Sequence, residues 1–203
     1  RTFSGIFFTP EELRFLDDVW ANLPRLRSDF GRSLALTALI RSCMKRQPRG
    51  VFTVGNAADG EARYNDGRRD MRLSLREHFL EQVELLNALV FSNGKRNSAK
   101  RHDVFARSGR RAAPDLVYLD PPYIPRADDN CYIKRYHFLE GLSYYWQGAT
   151  LMESSKVRKL PKAFTPFSYR RNAEETFDAL FARYAKSTIV LSYSMNGYPD
   201  QSV

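Results

Sequence analysis

The sequence predicts an α/β fold, because two short apolar runs lie on either side of a helical segment. Leu116–Leu119 is a nearly continuous apolar run, and Thr188–Leu191 is a second run that is rich in β-branched residues. Such runs are typical of strands buried on both faces, as in a parallel sheet. Asn172 is placed to cap a helix between them, whose apolar residues recur as Phe177, Leu180, Phe181 and Tyr184. Strand, crossover helix and strand in this order is the α/β pattern.

Three helices are predicted ahead of the strand at residues 116–119. Thr9 opens the first with a capping-box pattern, in which Pro follows the cap and Glu stands three residues later. Residues 33–45 carry the apolar spacing of a second helix, and a third begins at Ser74 and ends near residue 93.

The connection between the second and third helices carries weaker signals. Residues 51–54 are predicted as a short strand. Residues 55–70 are rich in Gly, Asn, Asp and Arg and have no period, so a loop is expected there.

Composition excludes several classes of protein. The chain has 203 residues, of which 43% are apolar and 13% aromatic, enough for the core of one sizeable domain. Charged residues interrupt its apolar stretches, so neither a membrane span nor a signal peptide is expected. Its only cysteines, Cys43 and Cys131, rule out a disulfide scaffold or a multi-cysteine zinc site. We expect a reducing, cytoplasmic setting and no bound metal.

The charge balance favours a polyanionic partner. The chain has 32 Lys and Arg against 23 Asp and Glu, a formal charge of +9. The excess is concentrated in residues 25–49, 95–111 and 154–171. Because many basic proteins bind no nucleic acid, the charge by itself is equally consistent with a solvated basic surface.

The chemistry is concentrated in the tetrapeptide Asp120-Pro121-Pro122-Tyr123, which directly follows the strand predicted at residues 116–119. Ligands of open α/β sheets bind beyond the carboxyl ends of the strands. The prolines lack N–H donors and stiffen the bend, so carbonyl oxygens there can point into a pocket. The alternative is a proline-rich turn with Asp120 at the surface, a pattern expected by chance in about one chain of this length in a hundred.

These residue types suit an aromatic amine that must act as a nucleophile. The Asp120 carboxylate and the Pro121 carbonyl would accept the two N–H groups of the adenine 6-amino group and draw its nitrogen toward a tetrahedral geometry. The freed lone pair would then attack a sulfonium methyl group, with the developing positive charge stabilised by the acceptors. Tyr123 would stack on the base after it has been flipped out of a duplex.

The tetrapeptide and three further segments, residues 130–142, 189–199 and 3–10, resemble the Dam-like class of adenine-specific DNA methyltransferases. The resemblance implies transfer of a methyl group from S-adenosylmethionine to the 6-amino group of adenine in double-stranded DNA, as in bacterial or phage restriction-modification. It also implies a Rossmann-like methyltransferase sheet with a helical insertion.

The resemblance assigns roles by position. Asp120, Pro121, Pro122 and Tyr123 would form the catalytic, base-binding set. Asp103 and Val104 fall where the family contacts the adenine of its cofactor, although Asp103 is also placed to offset Arg101 or Arg107. Three residues after the tetrapeptide would line the nucleotide pocket or the DNA groove, unless their helix belongs to the core: Tyr132, Tyr136 and His137.

An acid-free basic run is interleaved with Phe164, Phe167 and Tyr169, a composition that suits contact with a nucleic-acid backbone. Its DNA-binding candidates are Lys156, Arg158, Lys159, Lys162, Arg170 and Arg171. A solvated loop is the alternative. Phosphate contacts of this kind would set affinity and not sequence preference.

The chain departs from the family at the cofactor motif, because it contains no Gly-x-Gly. Family order places that motif before Phe3, so we expect a partial sheet without its first strand and Gly-rich turn. An N-terminal segment or a second chain would then supply the motif. On this interpretation residues 1–92 are a helical, target-recognition-like region with a loop, and residues 93–203 are the catalytic half of the methyltransferase domain.

Two other functions remain open from the sequence. The chain could be a non-catalytic DNA-binding piece that depends on a partner for the cofactor site. It could also be a methyltransferase acting on cytosine or on an RNA base, since similar tetrapeptides serve those reactions.

Overall fold

The computed structural model describes residues 2–55, 67–106, 113–124 and 132–199. Contacts divide the chain into two compact units, one from residues 1–93 and 132–162 and the other from residues 94–131 and 163–203. Residues 132–162 belong to the first unit and residues 94–131 to the second, and the functional division expected at residue 92 stays a prediction. Cys131, Arg107 and most of the loop expected at residues 55–70 lie outside the described residues.

The first unit is helical. Its α-helices among the described residues are α1 (Pro10–Asn22), α2 (Asp29–Lys45), α3 (Arg69–Arg72), α4 (Leu75–Leu89) and α5 (Tyr132–Ser143). The capping boxes predicted from sequence are present at Thr9 and Ser74, each closed by a glutamate three residues later. Helix α2 begins earlier than predicted because the Ser28 hydroxyl accepts the N–H of Gly31 at 3.0 Å.

The strand predicted at residues 51–54 is wrong. Phe52 is completely buried, and its N–H donates to the carbonyl of Arg135 at 2.8 Å. The backbone of Phe52 is therefore bonded to the N-terminal part of α5 and not to a neighbouring strand.

The core of the first unit is built from aromatic rings. Phe7, Phe52 and Phe138 are completely buried, and the Phe7 ring meets the other two edge-on at 5.1 and 5.4 Å. Phe3 and Phe8 complete the cluster beside helix α5. Such edge-to-face packing adds directional preference to the burial of apolar area.

His137 belongs to this core and not to a surface. The side chain is completely buried, and Nε2 donates to the carbonyl of Phe52 at 2.8 Å. Burial lowers the pKa of this imidazole, because the charged form would be desolvated. The structure therefore removes His137 from the residues that could reach DNA.

A buried ion pair joins three helical segments of the first unit. Arg46, at the end of α2, donates from Nε to Glu12 Oε1 at 2.6 Å, and both side chains are about nine-tenths buried. Glu12 also accepts the N–H of Thr9 in the capping box of α1, and Arg46 bonds the carbonyl of Met71 in α3. One carboxylate thus fixes both the start of α1 and the position of Arg46.

The second unit contains the predicted α/β element. Strand β1 (Leu116–Leu119) pairs in parallel with β2 (Thr188–Leu191), and helix α6 (Ala173–Arg183) lies between them in the chain. Asn172 immediately precedes α6, but its side chain makes no capping bond among the described residues; instead its carbonyl accepts the Thr176 hydroxyl. Glu174 and Glu175 lie in the first turn, where their negative charges interact favourably with the helix dipole.

The expectation that both strands are buried on both faces is wrong for the described residues. Val117, Leu119 and Ile189 pack in the apolar cluster of the second unit. The buried residues of this cluster are Leu119, Ile124, Phe167, Ala173, Phe177 and Leu180. On the other face the register partners Tyr118 and Val190 are 63% and 41% exposed. The sheet therefore has one covered face and one open face.

Among the described residues, no helix has the length and apolar character of a membrane-spanning segment. No group of histidine, cysteine and acidic side chains among them could hold a metal ion. Cys43 is a buried free thiol, and burial raises its pKa.

Glu12→Gln is expected to lower the free energy of unfolding by about 3 kcal/mol, because it removes the carboxylate that offsets a buried guanidinium charge. Urea unfolding monitored by circular dichroism measures the effect. Glu77→Gln is the matched control, since Glu77 holds the same position in the exposed capping box of α4. Equal losses in the two variants would contradict the importance of the buried pair.

The stability of the wild-type chain is expected to fall as the pH drops below about 6.5, the ordinary histidine value. Below this pH His137 binds a proton more readily in the unfolded state than in the folded state, where it is buried. Protonation therefore favours the unfolded state, and the free energy of unfolding falls as the pH drops below this value. His137→Gln should reduce this pH dependence in urea unfolding at pH 7.5 and 5.5. The exposed His102, changed to Gln, is the control; an unaltered dependence in His137→Gln would refute the assignment.

Candidate active site

The tetrapeptide Asp120-Pro121-Pro122-Tyr123 directly follows β1, as the sequence predicts. Asp120 is exposed, Pro121 is buried, and Tyr123 is 39% exposed. The Tyr123 hydroxyl donates to Asp120 Oδ1 at 3.2 Å. A carboxylate and an aromatic ring thus converge at the carboxyl end of a parallel strand, where α/β folds bind ligands.

Tyr193, which follows β2, holds the chain just after the tetrapeptide. Its hydroxyl accepts the N–H of Ile124 at 3.0 Å and donates to the carbonyl of Tyr198 at 2.7 Å. The N–H of Tyr198 donates in turn to the carbonyl of Ile124 at 3.0 Å. The segments that leave the two strands are therefore tied to each other through both backbone groups of Ile124.

Ring contacts reinforce this connection. The rings of Tyr123 and Tyr193 meet edge-on, with centroids 5.4 Å apart and planes at 81°. Phe177 of α6 meets Tyr193 in the same way at 5.1 Å and 83°. The ring of Tyr193 thus links the tetrapeptide to the covered side of the sheet.

The sequence interpretation did not single out Tyr193 as a site residue. The signal that would have found it is its place two residues after β2. Because the carboxyl ends of parallel strands meet at one edge, residues after β2 are expected beside those after β1.

Asp103 and Val104 lie in the same unit as the tetrapeptide. Asp103 is exposed, and its Oδ1 accepts the N–H of Phe105 at 2.9 Å. Its carbonyl accepts the N–H of Ala106 at 3.1 Å, and the Ala106 carbonyl accepts a bond from Arg183 at 2.7 Å. Val104 is half-buried against the apolar cluster. The result is a fixed turn with a carboxylate at the surface.

Tyr132 and Tyr136 lie on α5 of the first unit, one turn apart. Their rings stack with centroids 6.0 Å apart, and Tyr132 is 44% exposed. They offer an aromatic surface, in contrast to the buried His137 that follows them in the chain.

The basic run is divided between the two units. Residues 156–162 belong to the first unit, and Arg170 and Arg171 to the second. The guanidinium of Arg170 lies 4.2 Å from the centre of the Tyr198 ring, and that of Arg171 lies 5.2 Å from the Tyr169 ring. Both arginines are exposed, so they retain access to a phosphate while stacked on a ring.

The aromatic residues of this run do not share one environment. Phe164 is 47% exposed and stacks on Tyr169 at 5.4 Å, as a nucleic-acid surface would require. Phe167 is 6% exposed and packs in the core against Phe105 and Phe177. The expectation that Phe167 belongs to the binding surface is therefore wrong.

Comparison with known proteins gives one informative similarity. No protein-family model matches the chain, and no solved structure matches it significantly. The chain is 34% identical over 131 residues to the type II methyltransferase M2.HphI of Haemophilus parahaemolyticus. The match covers 61% of this chain and 39% of the relative, so the chain spans about two fifths of that protein. It is similar to part of a type II methyltransferase.

Proposed function

We propose that the chain carries the base-binding half of an adenine-specific DNA methyltransferase that uses S-adenosylmethionine. The observation that carries this proposal is the convergence of Asp120 and Tyr123 at the end of β1, with the hydroxyl of the tyrosine 3.2 Å from the carboxylate. The similarity to a type II methyltransferase supports it independently.

In the proposed reaction the Asp120 carboxylate and the Pro121 carbonyl accept the two N–H groups of the adenine 6-amino group. The nitrogen lone pair is then directed away from the ring and forms the new bond to the methyl carbon as the sulfur–carbon bond breaks. Positive charge develops on the nitrogen, and a negatively charged acceptor beside it stabilises that charge. The methylated amine afterwards loses one proton to solvent.

The exposed part of Tyr123 offers a flat face on which an adenine flipped from the duplex would stack. Its edge-on contact with Tyr193 limits how far the ring can turn. A base held between a fixed ring and a fixed carboxylate has few orientations available, which is how positioning lowers the barrier.

The chain provides binding groups for only part of the proposed cofactor. When bound, S-adenosylmethionine supplies the sulfonium methyl group. Asp103 would accept an N–H of its adenine, and half-buried Val104 would contact the ring plane. The sequence offers no Gly-x-Gly for the rest of the molecule, so we assign that part to a segment or chain beyond these residues.

DNA is the proposed polyanionic partner. Arg170 and Arg171 are exposed in the unit that carries Asp120, and their guanidinium groups are supported by aromatic rings. We assign them, together with Lys156, Arg158, Lys159 and Lys162, to contacts with the phosphate backbone. Tyr132 and Tyr136 of the first unit are also assigned to contacts with DNA, and His137 is left out because it is buried.

A second candidate is a non-catalytic DNA-binding subunit whose partner supplies the cofactor site. The absence of Gly-x-Gly favours it, and the basic surface serves it equally well. The two functions differ in one observable, since only the first requires Asp120 for turnover.

Asp120→Ala is expected to reduce methyl transfer to unmethylated duplex DNA by about 100-fold or more, because the charged acceptor is lost. Transfer of labelled methyl groups from S-adenosylmethionine, with the segment that carries the cofactor motif supplied, measures the loss, and nucleoside analysis identifies adenine or cytosine as the acceptor. A parallel reaction with RNA as substrate tests an RNA base. Asp115→Asn is the control, since this exposed carboxylate lies at the opposite end of β1. Full activity in Asp120→Ala would exclude the proposed site. Transfer that appears only when a partner supplies the cofactor motif, and that is undiminished in Asp120→Ala, would favour the second candidate.

Replacing Arg170 and Arg171 together by alanine is expected to weaken DNA binding similarly for all sequences. The slope of log affinity against log salt should become less steep by about 1 to 2, because each phosphate contact contributes about −0.9. Fluorescence anisotropy over a range of salt concentrations gives both quantities. Arg25 and Arg27, an exposed pair in the first unit, provide the matched control. An equal effect of the control pair would point to a generally basic surface.

A further inference from the structure

We propose that Tyr193 is the positioning residue of this site, holding Asp120 and Tyr123 in the arrangement that methyl transfer requires. The inference rests on the proposed function and assigns a role to a residue outside the tetrapeptide. It is carried by the hydrogen bonds and ring contacts of the Tyr193 side chain, together with a backbone bond of the preceding residue, Ser192.

The first contact fixes the backbone at the residue that follows the tetrapeptide. Pro121 and Pro122 have no N–H to donate, so the amide of Ile124 is among the few groups that can tie this stretch down. That amide donates to the Tyr193 hydroxyl at 3.0 Å. The side chain of Ile124 is completely buried, which anchors the same residue in the apolar cluster.

The second contact fixes the backbone at the residue that precedes the tetrapeptide. The N–H of Ser192 donates to the carbonyl of Leu119 at 2.8 Å, which continues the pairing of the strands up to Asp120. The tetrapeptide is thus held at Leu119 and at Ile124, by two adjacent residues of the same segment. Only the prolines, Asp120 and Tyr123 lie between these fixed points.

The third contact acts on the side chains. The ring of Tyr193 lies between Tyr123 and Phe177, meeting each edge-on. Because Tyr123 in turn donates to Asp120, a displacement of Tyr193 would move both groups that the base is proposed to meet. A misplacement of about 1 Å at a reacting centre can cost about 100-fold in rate.

The hydroxyl and the ring can be separated by experiment. Tyr193→Phe keeps the contacts of the ring and removes the bonds to Ile124 and Tyr198. We expect kcat to fall by about 10- to 100-fold, while KM for DNA changes by less than about threefold, because positioning acts on the reacting geometry. Tyr184→Phe is the matched control, since Tyr184 packs in the same cluster and its hydroxyl is not part of this bond pair.

Amide hydrogen exchange of Ile124, followed by NMR, tests the brace without relying on activity. Tyr193→Phe should accelerate exchange at Ile124 and leave the melting temperature close to that of Tyr184→Phe. Unchanged exchange, or unchanged kcat in an active enzyme, would overturn the inference. If the wild-type chain transfers no methyl group even when the segment that carries the cofactor motif is supplied, the proposed function fails and the positioning role fails with it. Faster exchange in that case identifies Tyr193 as a purely structural brace.

Discussion

The parallel pairing of β1 with β2 is the constraint on which the candidate site depends. Both strands run in the same direction, so the residues that follow them emerge at one edge, and Ser192 bonds the carbonyl of Leu119. Side chains alternate between faces along a strand, so a shift of register by one residue would send Tyr193 to the other side of the sheet. The tetrapeptide would then lose its brace, although its own sequence had not changed.

Features encoded by neighbouring residues could be predicted from the sequence. The boxes at Thr9 and Ser74 involve residues three apart, and both occur in the structure as predicted. The strand expected at residues 51–54 failed because Phe52 finds its backbone partner in Arg135, far along the chain. The burial of His137 could not be predicted for a related reason, since its imidazole forms a hydrogen bond with the carbonyl of Phe52, which sequence spacing does not reveal.

The candidate site likewise has a part that could be predicted from the sequence and a part that could not. The tetrapeptide is contiguous, so its residue types and its place after an apolar run made it visible in the sequence. Tyr193 acts on Ile124 from 69 positions away, and only the strand pairing brings them together. The basic run shows the converse, because its members are close in sequence but belong to two units.

The covered face of the small sheet connects stability with the chemistry proposed for this chain. Two short strands are marginal on their own, and here one face is open at Tyr118 and Val190. The apolar cluster on the other face therefore supplies much of what holds the strands in register. Phe177 belongs to that cluster and also touches Tyr193, so the packing of α6 reaches the tetrapeptide through one aromatic contact. Core packing and the geometry of the candidate site are in this way parts of the same arrangement.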